Sequence, residues 1–209
     1  MGFPKQLVLA TKNRGKIREI LSICNDWPVE WILGRSTSDP GRLAPWWTDV
    51  EETGRTYLEN ALLKARAVGK ALGVAALADD SGIEVAALGG GPGVRSARFA
   101  GEDSTDEANL RLLIARIRDV PEAERTARYR CVAVCAWPGE RDVWAEATCE
   151  GRLILEPRGT GGFGYDPIFV REGESRTMAE LTDDEKNAIS HRGRAARSLA
   201  IHLGLGAGG

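Results

Sequence analysis

Features typical of several protein classes are missing from this 209-residue sequence. No hydrophobic run approaches the length that spans a bilayer, so we expect no membrane segment. The first residues, MGFPKQLVLATKN, contain a short apolar run cut off by charge, which predicts a first strand and not a signal peptide. The 28 lysines and arginines do not exceed the 30 aspartates and glutamates, so no diffuse basic surface indicates nucleic-acid binding. We therefore expect a cytoplasmic protein with a small ligand.

Cysteine is scarce and follows no metal-binding pattern. The four cysteines include no CxxC motif, which favours buried reduced thiols over zinc ligands or disulfides. The sequence also lacks internal repeats and any linker long enough to separate domains. With 43% hydrophobic and 28% charged residues, the chain is expected to form a single globular domain over residues 1–209, with one or two lobes.

Helix and strand patterns alternate along the chain. Thr56 and Glu59 have the spacing of a capping box, which marks the start of a helix. The predicted elements are a strand at 7–10, a helix after the turn at 11–16, a helix from Thr56 to Gly73, a strand at 74–78 that ends at 79–82, a helix at about 104–118, a hairpin of 127–137 and 143–149, a strand at 166–170 and a helix from Thr182 towards His202. This order predicts an α/β fold with a mixed central sheet.

The segment ATKNRGK at residues 10–16 follows the first predicted strand and opens a helix. It lacks the first glycine and the final Ser or Thr of a Walker A loop, so it is not one. Helix N-terminal amides together with Lys12, Arg14 and Lys16 nevertheless predict a local anion site. A solvated polar turn is the alternative.

The segment GTGGFG at residues 159–164 matches the G-x-G-x-x-G motif in letters. A strand pattern follows it where a dinucleotide-binding fingerprint requires a helix, and the other kinase signatures are absent. We interpret the glycines as allowing a flat ligand to approach the backbone, with Phe163 or Tyr165 able to stack on it. A plain flexible turn is the alternative.

Acidic residues are paired in Asp79-Asp80-Ser81-Gly82, at the end of a predicted buried strand. Two adjacent carboxylates there are costly unless a cation neutralises them, and such oxygen ligands suit Mg²⁺. Glu51, Glu52 and Glu59, near the start of the preceding helix, are candidates to complete the coordination. A turn or a helix cap is the alternative for the acidic pair.

Further polar residues are candidates for binding. Asn60 and Lys64 lie one helical turn apart and so share a face. Lys186, His191 and Arg192 fall late in the chain, where a guanidinium offers planar donors to a purine edge or a phosphate. Ordinary surface or structural roles are the alternatives for Asn60, Lys64 and His191.

Four of the six tryptophans, Trp27, Trp31, Trp46 and Trp47, lie close together in a region of weak periodicity. Packing in the core or at a lobe edge is expected, and an interface is the alternative.

Taken together, these segments resemble the inosine/xanthosine triphosphate pyrophosphatase family. The resemblance rests on five stretches in family order: LATKNRGK (9–16), EETGRTYLENALLKA (51–65), ADDSGIEVAALGGGPGVRSARFAGE (78–102), GTGGFGYDPIF (159–169) and ELTDDEKNAISHRGRA (180–195). It implies hydrolysis of ITP, dITP and XTP to the nucleoside monophosphate and pyrophosphate. It also implies a homodimer with an elongated mixed sheet and two lobes, the nucleotide lying in the cleft between them.

The resemblance further implies a role for each matching residue. Asp80 is expected to be the proton acceptor, and Mg²⁺ to bridge Asp80, the Glu51/Glu52 pair and phosphate oxygens. Ser81 is expected to touch the substrate. The residues expected to hold the triphosphate are Thr11, Lys12, Asn13, Arg14, Gly15, Lys16 and Lys64. Those expected to frame the base are Phe163, Gly164, Tyr165, Asp166, Lys186, His191 and Arg192.

Two other classes of function are kept as alternatives. A nucleotide-dependent kinase or transferase that uses the 159–164 loop would need a second substrate. A non-catalytic nucleotide-binding or interaction module would bind ITP without turnover.

Overall fold

The computed structural model describes residues 3–34, 50–139 and 141–205. Its strands are β1 (Gln6–Leu9), β2 (Glu30–Leu33), β3 (Ala76–Val85), β4 (Thr126–Ala136), β5 (Asp142–Leu153) and β6 (Phe169–Arg171). Its helices are α1 (Arg14–Ile23), α2 (Tyr57–Leu72), α3 (Asp106–Ile117), α4 (Asp183–Ile189) and α5 (His191–His202), with short 3-10 turns in addition. No helix in these ranges is long and apolar enough to cross a membrane.

Within the described residues the strands form a mixed sheet in the order β2-β1-β3-β4-β5-β6. β1 runs parallel to β2 and to β3, with Val8 opposite Ala76 and Leu9 opposite Leu77. β5 and β6 are antiparallel. The predicted α/β class with a mixed sheet and flanking helices is therefore confirmed, and the cleft between two lobes stays a prediction.

The chain forms two compact units, which we call unit 1 (residues 1–80, 131–146 and 192–209) and unit 2 (residues 81–130 and 147–191). In unit 1, β1 is fully buried from Leu7 to Leu9. In unit 2, Ile83, Leu113 and Phe169 belong to one buried apolar cluster. All four cysteines are buried free thiols, as predicted.

The sequence patterns missed β2, which contains Trp31. The Trp31 ring stacks on Trp27 at 6.1 Å between centroids, and Trp27 meets Phe3 edge-on at 5.6 Å. This confirms the packing interpretation for Trp27, which is buried. Trp46 and Trp47 lie outside the described residues.

Side chains cap the helices where the sequence predicts. The Thr56 hydroxyl accepts from the Glu59 amide at the start of α2, and Gly73, in the left-handed conformation, ends that helix. Thr182 and Glu185 form a complete capping box on α4. The prediction of one continuous final helix is wrong, however, because Ser190 has an extended backbone (φ −68°, ψ 156°) that separates α4 from α5.

Two predicted strand boundaries are also wrong. β3 continues to Val85, so Asp79 and Asp80 lie inside the strand and not in a turn after it. The segment from Asp166 begins with a 3-10 turn, and β6 starts only at Phe169. Charged residues are typical of strand ends, but Asp79 is paired with Lys16 and the buried Arg192, and the local sequence pattern does not reveal these cations.

Candidate active site

The start of α1 combines a helix N-terminus with cationic side chains. Asn13 is the N-cap, and its side chain accepts from the Lys16 amide at 3.0 Å. The Thr11 hydroxyl accepts from the Asn13 amide at 3.2 Å, which fixes the turn between β1 and α1. Because Arg14 and Lys16 belong to the first helical turn, their charges add to the positive end of the helix dipole. This arrangement can bind an anion.

Unit 1 also contains a buried ionic network around Asp79. Asp79 Oδ2 lies 3.1 Å from Lys16 Nζ and 3.1 Å from Arg192 Nε. Arg192 also contacts Glu19 through Nη1. Asp79, Arg192 and Glu19 are buried, whereas Lys16 is partly exposed. Burial disfavours the carboxylate, but Lys16 and Arg192 outweigh this effect and hold the pKa of Asp79 well below its usual range. Asp79 is therefore ionised at neutral pH.

Asp80, its neighbour in β3, has a different environment. Its Oδ2 accepts from Asn60 Nδ2 at 3.1 Å, and its Oδ1 lies 3.5 Å from Lys64 Nζ. Burial is the largest influence on Asp80 and raises the pKa of its carboxyl group, although Lys64 and Lys16 oppose the shift. A carboxylate with raised proton affinity at a polar site suits a general base.

Lys64 lies between two carboxylates. Its Nζ is 2.7 Å from Glu52 Oε1, in addition to its contact with Asp80. Burial favours the neutral amine, but Asp80 and Glu52 reverse this and raise the pKa of Lys64. Glu51, in contrast, is exposed. The Glu52 and Asp80 carboxylates thus both contact the Lys64 ammonium.

This donor set fits a divalent cation. Asp80 and Glu52 supply carboxylate oxygens, and Mg²⁺ typically binds one or two carboxylates together with substrate phosphate oxygens. Among the described residues no group of three or more His, Cys, Asp and Glu side chains forms a metal cluster. Asp79 Oδ1 is also buried and accepts no hydrogen bond from the described part of the chain, but this oxygen belongs to the neighbouring Asp79 network and not to the Asp80 and Glu52 pair. Asp80 and Glu52 therefore fit a metal ion whose remaining ligands include phosphate oxygens of the substrate.

A second group of predicted residues meets in unit 2 around Asp166. Its Oδ2 lies 2.5 Å from Lys186 Nζ and accepts from the Phe163 amide at 2.8 Å, and its Oδ1 accepts from Tyr129 at 3.2 Å. The Lys186 ammonium lies 5.0 Å from the centre of the Phe163 ring. The Tyr129 ring stacks on His191 with centroids 4.5 Å apart. An aromatic face beside a buried ammonium donor suits a flat, oxygen-bearing heterocycle.

The glycines of the 159–164 loop mostly pack against the chain itself. A Cβ on Gly159 would lie 2.4 Å from Ala179 O, and one on Gly162 would lie 2.2 Å from Asp166 Oδ2. The interpretation that these two glycines admit a ligand is therefore wrong, because protein atoms take up that space.

The sequence profile of the Ham1 family matches residues 7–202 of the chain. The chain belongs to the Ham1 family.

Curated relatives and solved structures agree with this assignment across nearly the whole Ham1 chain. A dITP/XTP pyrophosphatase of Streptomyces coelicolor is 49% identical over 194 residues, covering 93% of this chain and 94% of the relative. One of Shigella flexneri is 46% identical over 197 residues, covering 93% and 96%. The structure of a HAM1 protein from Coxiella burnetii superposes with a TM-score of 0.81 at 38% identity, covering 95% of this chain and 98% of that one.

In this Ham1 member, the predicted site residues divide between the two units. The predicted residues in unit 1 are Thr11 to Lys16, Glu51, Glu52, Lys64, Asp80 and Arg192, and those in unit 2 are Ser81, Phe163 to Asp166, Lys186 and His191. The resemblance implies that Arg192 frames the base, but the Arg192 guanidinium contacts Asp79 and Glu19 in unit 1.

Glu19 and Tyr129 contact residues of the candidate site but are not among the site residues predicted from the sequence. Glu19 follows Lys16 by three residues on α1, so helical spacing places it on the same face, and this signal was available. Tyr129 is one of several bulky residues in β4, and only its tertiary contacts with Asp166 and His191 distinguish it.

Proposed function

We propose that the chain hydrolyses the non-canonical purine nucleoside triphosphates ITP, dITP and XTP to the nucleoside monophosphate and pyrophosphate, which removes them from the nucleotide pool. The observation that supports this reaction is the placement of the buried Asp80 carboxylate against Lys64 and Asn60, with the cationic start of α1 in the same unit. The curated relatives named dITP/XTP pyrophosphatase support the substrate class.

The chemical step is attack of water on the α-phosphorus. Asp80 accepts the proton of the attacking water, a bond forms between the water oxygen and phosphorus, and the bond from phosphorus to the bridging oxygen of pyrophosphate breaks. Asn60 holds the Asp80 carboxylate in place through its amide. Asp80 and Glu52 would hold a bound Mg²⁺, which would supply positive charge to the phosphate oxygens.

Cationic groups of the protein stabilise the negative charge that develops on the leaving pyrophosphate. Lys16 and Lys64 are the ammonium groups nearest to the aspartate pair, and the amides of the first turn of α1 add their dipoles. These groups stabilise the transition state because their positive charges are fixed before the reaction begins.

Base selection is assigned to the Asp166 cluster. Asp166 holds the Lys186 ammonium over the Phe163 ring, and this ammonium is the donor assigned to the 6-oxo group of a purine bound at the cluster. Adenine bears an amino group at that position and would leave the donor unpaired. A mismatch of this kind discriminates by roughly 10⁴-fold or more in a dry site.

Product analysis tests the proposal. The purified protein is incubated with ITP, XTP, dITP, ATP and GTP in Mg²⁺ buffer, and the phosphorus products are identified by ³¹P NMR. IMP with pyrophosphate, abolished by EDTA and restored by Mg²⁺, is the expected result. IDP with orthophosphate would contradict the assigned bond, a requirement for a second substrate would indicate a transferase, and ITP binding without turnover would indicate a binding module.

A cytoplasmic homodimer completes the proposal. Light scattering should give about twice the chain mass of 22.6 kDa. A monomer mass at micromolar concentration would contradict this part alone.

A further inference from the structure

Residues 93–109 contribute nothing to the mechanism above, yet they contact the glycine-rich loop inside unit 2. Asp106, the first residue of α3, accepts from the Gly164 amide through Oδ2 at 3.1 Å. The main-chain oxygen of Ser96 accepts from the Tyr165 hydroxyl at 2.8 Å, and this contact is buried. Gly164, the last residue of the loop, and Tyr165, the next residue, are thus attached to a segment outside the loop.

The backbone of Gly164 is shaped for this contact. Its φ is +62°, a left-handed value that glycine adopts without strain, and a Cβ there would meet no atom within 4 Å. The glycine is therefore needed for its conformation and not for lack of space. That conformation directs the Gly164 amide to Asp106, while the preceding amide, of Phe163, donates to Asp166.

The groups that hold the loop are themselves fixed. The Ser96 hydroxyl accepts from the Ile83 amide at 2.9 Å and contacts the Gly93 carbonyl at 2.6 Å. Asp106 follows Thr105, the N-cap of α3, whose hydroxyl accepts from the Ala108 amide. A carboxylate on the first turn of a helix is favoured there by the helix dipole.

These contacts limit which groups can recognise a purine base. Because the amides of Phe163 and Gly164 both donate to carboxylates of the chain, they are not the donors that meet the base. Two of the remaining candidate groups are the Phe163 ring and the Lys186 ammonium, whose nitrogen lies 5.0 Å from the ring centroid. Their relative placement depends on the peptide between Phe163 and Gly164.

We propose that Asp106 is a positioning residue for base selection: its carboxylate anchors Gly164 and so orients the Phe163 ring against Lys186. This inference rests on the proposed function. Asp106 itself lies on the exposed surface and touches the loop backbone, so it acts through Phe163 and not on the purine directly.

The test compares kcat/KM for ITP and for ATP in three variants. Asp106→Ala should lower the ITP-to-ATP ratio about two- to tenfold, the range expected for losing one hydrogen bond, mainly through a higher KM for ITP. Asp106→Asn should keep most of the ratio, because its amide oxygen can accept from the same Gly164 amide. Glu107→Ala is the matched control, since Glu107 is also acidic and in the first turn of α3 but pairs with Arg111.

Each outcome decides one point. A wild-type ratio in Asp106→Ala, or an equal loss in Glu107→Ala, overturns the inference while leaving the proposed function intact. Equal loss in the Asn and Ala variants also overturns it, because it would show that charge and not the hydrogen bond matters. Failure of the wild-type protein to hydrolyse ITP instead overturns the proposed function. Melting temperatures of Asp106→Ala and Glu107→Ala should agree, which separates loop positioning from a general loss of stability.

Discussion

Asp79 and Asp80 are adjacent in the sequence but have opposite pKa shifts. Successive residues of a strand point to opposite faces, so the two carboxylates meet different partners. Asp79 lies against Lys16 and Arg192 and stays charged, whereas Asp80 is buried with Lys64 as its nearest cation and has a raised pKa. Environments that separate the pKa values of two carboxyl groups are typical of catalytic pairs.

Asp80→Asn tests the assignment of the base at this scale. The variant should fold and bind ITP but lose about 10²- to 10⁴-fold in kcat, because the amide cannot accept the proton of water. Steady-state kinetics with ITP and a thermal melt check both parts. Asp142→Asn, which removes a carboxylate from a surface pair with Arg66, is the control and should keep wild-type activity. Near-normal turnover in Asp80→Asn would move the base elsewhere.

Lys16→Ala should weaken triphosphate binding. Loss of one charged hydrogen-bond donor should reduce affinity about 10- to 100-fold. Calorimetry with α,β-methylene-ITP, which cannot be cleaved at that position, measures it without turnover. Lys70→Ala, an exposed lysine near the end of α2, should bind as the wild type does. Unchanged affinity in Lys16→Ala would exclude the start of α1 as the phosphate site.

At the scale of elements, the glycine-rich loop is defined by contacts with its own chain. Gly159 packs on Ala179 and Gly162 on Asp166, so loop shape and the position of the Lys186 partner are coupled. In the same way, the extended residue Ser190 divides the last helical region and leaves His191 at the start of α5. Local backbone conformation thus determines where the unit 2 side chains stand.

Gly162→Ala tests this coupling. The new methyl group would lie 2.2 Å from Asp166 Oδ2, so Asp166 must move and release Lys186. Gly173→Ala is the matched control, with a similar left-handed φ of +82° but no atom within 4 Å of a Cβ. Both should lose about 1–2 kcal/mol of unfolding free energy to backbone strain. Only Gly162→Ala should also raise KM for ITP, and equal KM values in the two variants would contradict the coupling.

At the scale of the whole molecule, the buried network of Asp79 makes stability depend on pH. The folded pKa of Asp79 is lowered, so its contribution is present above the unfolded value of about 3.9 and is lost as pH falls further. The contribution of Asp80 to folding stability has the opposite pH dependence. Because the pKa of Asp80 is raised in the folded state, its contribution is present at low pH and is lost as pH rises through that pKa.

Asp79→Asn should therefore be destabilised at neutral pH by about 3 kcal/mol, the cost of removing one partner from a buried ion pair. The difference in unfolding free energy between Asp79→Asn and the wild type should become smaller as pH falls below about 4. Urea unfolding between pH 3 and 7 measures it. Glu84→Gln, which breaks a partly exposed pair with Arg128, should cost at most about 1 kcal/mol and serves as the control. A difference independent of pH would show that the charge of Asp79 is not what stabilises the fold.

The sequence by itself determined the local features of this protein. The capped starts of α2 and α4, the end of α2 at Gly73, the α/β class and the cationic start of α1 follow from residues close together in the chain. The Ham1 family's ordered motifs were also readable, because they are stretches of contiguous residues.

Only the tertiary structure decided what distant residues do to one another. The pairing of Arg192 with Asp79 and the contacts of Tyr129 with Asp166 and His191 join residues far apart in the sequence. These tertiary contacts also accompany the extension of β3 through its two aspartates. Burial and ion pairing set the opposite proton affinities of Asp79 and Asp80, and both depend on the packed environment. Composition and spacing show which ionisable groups are present in the chain. They do not show which of these groups are buried next to one another in the folded protein.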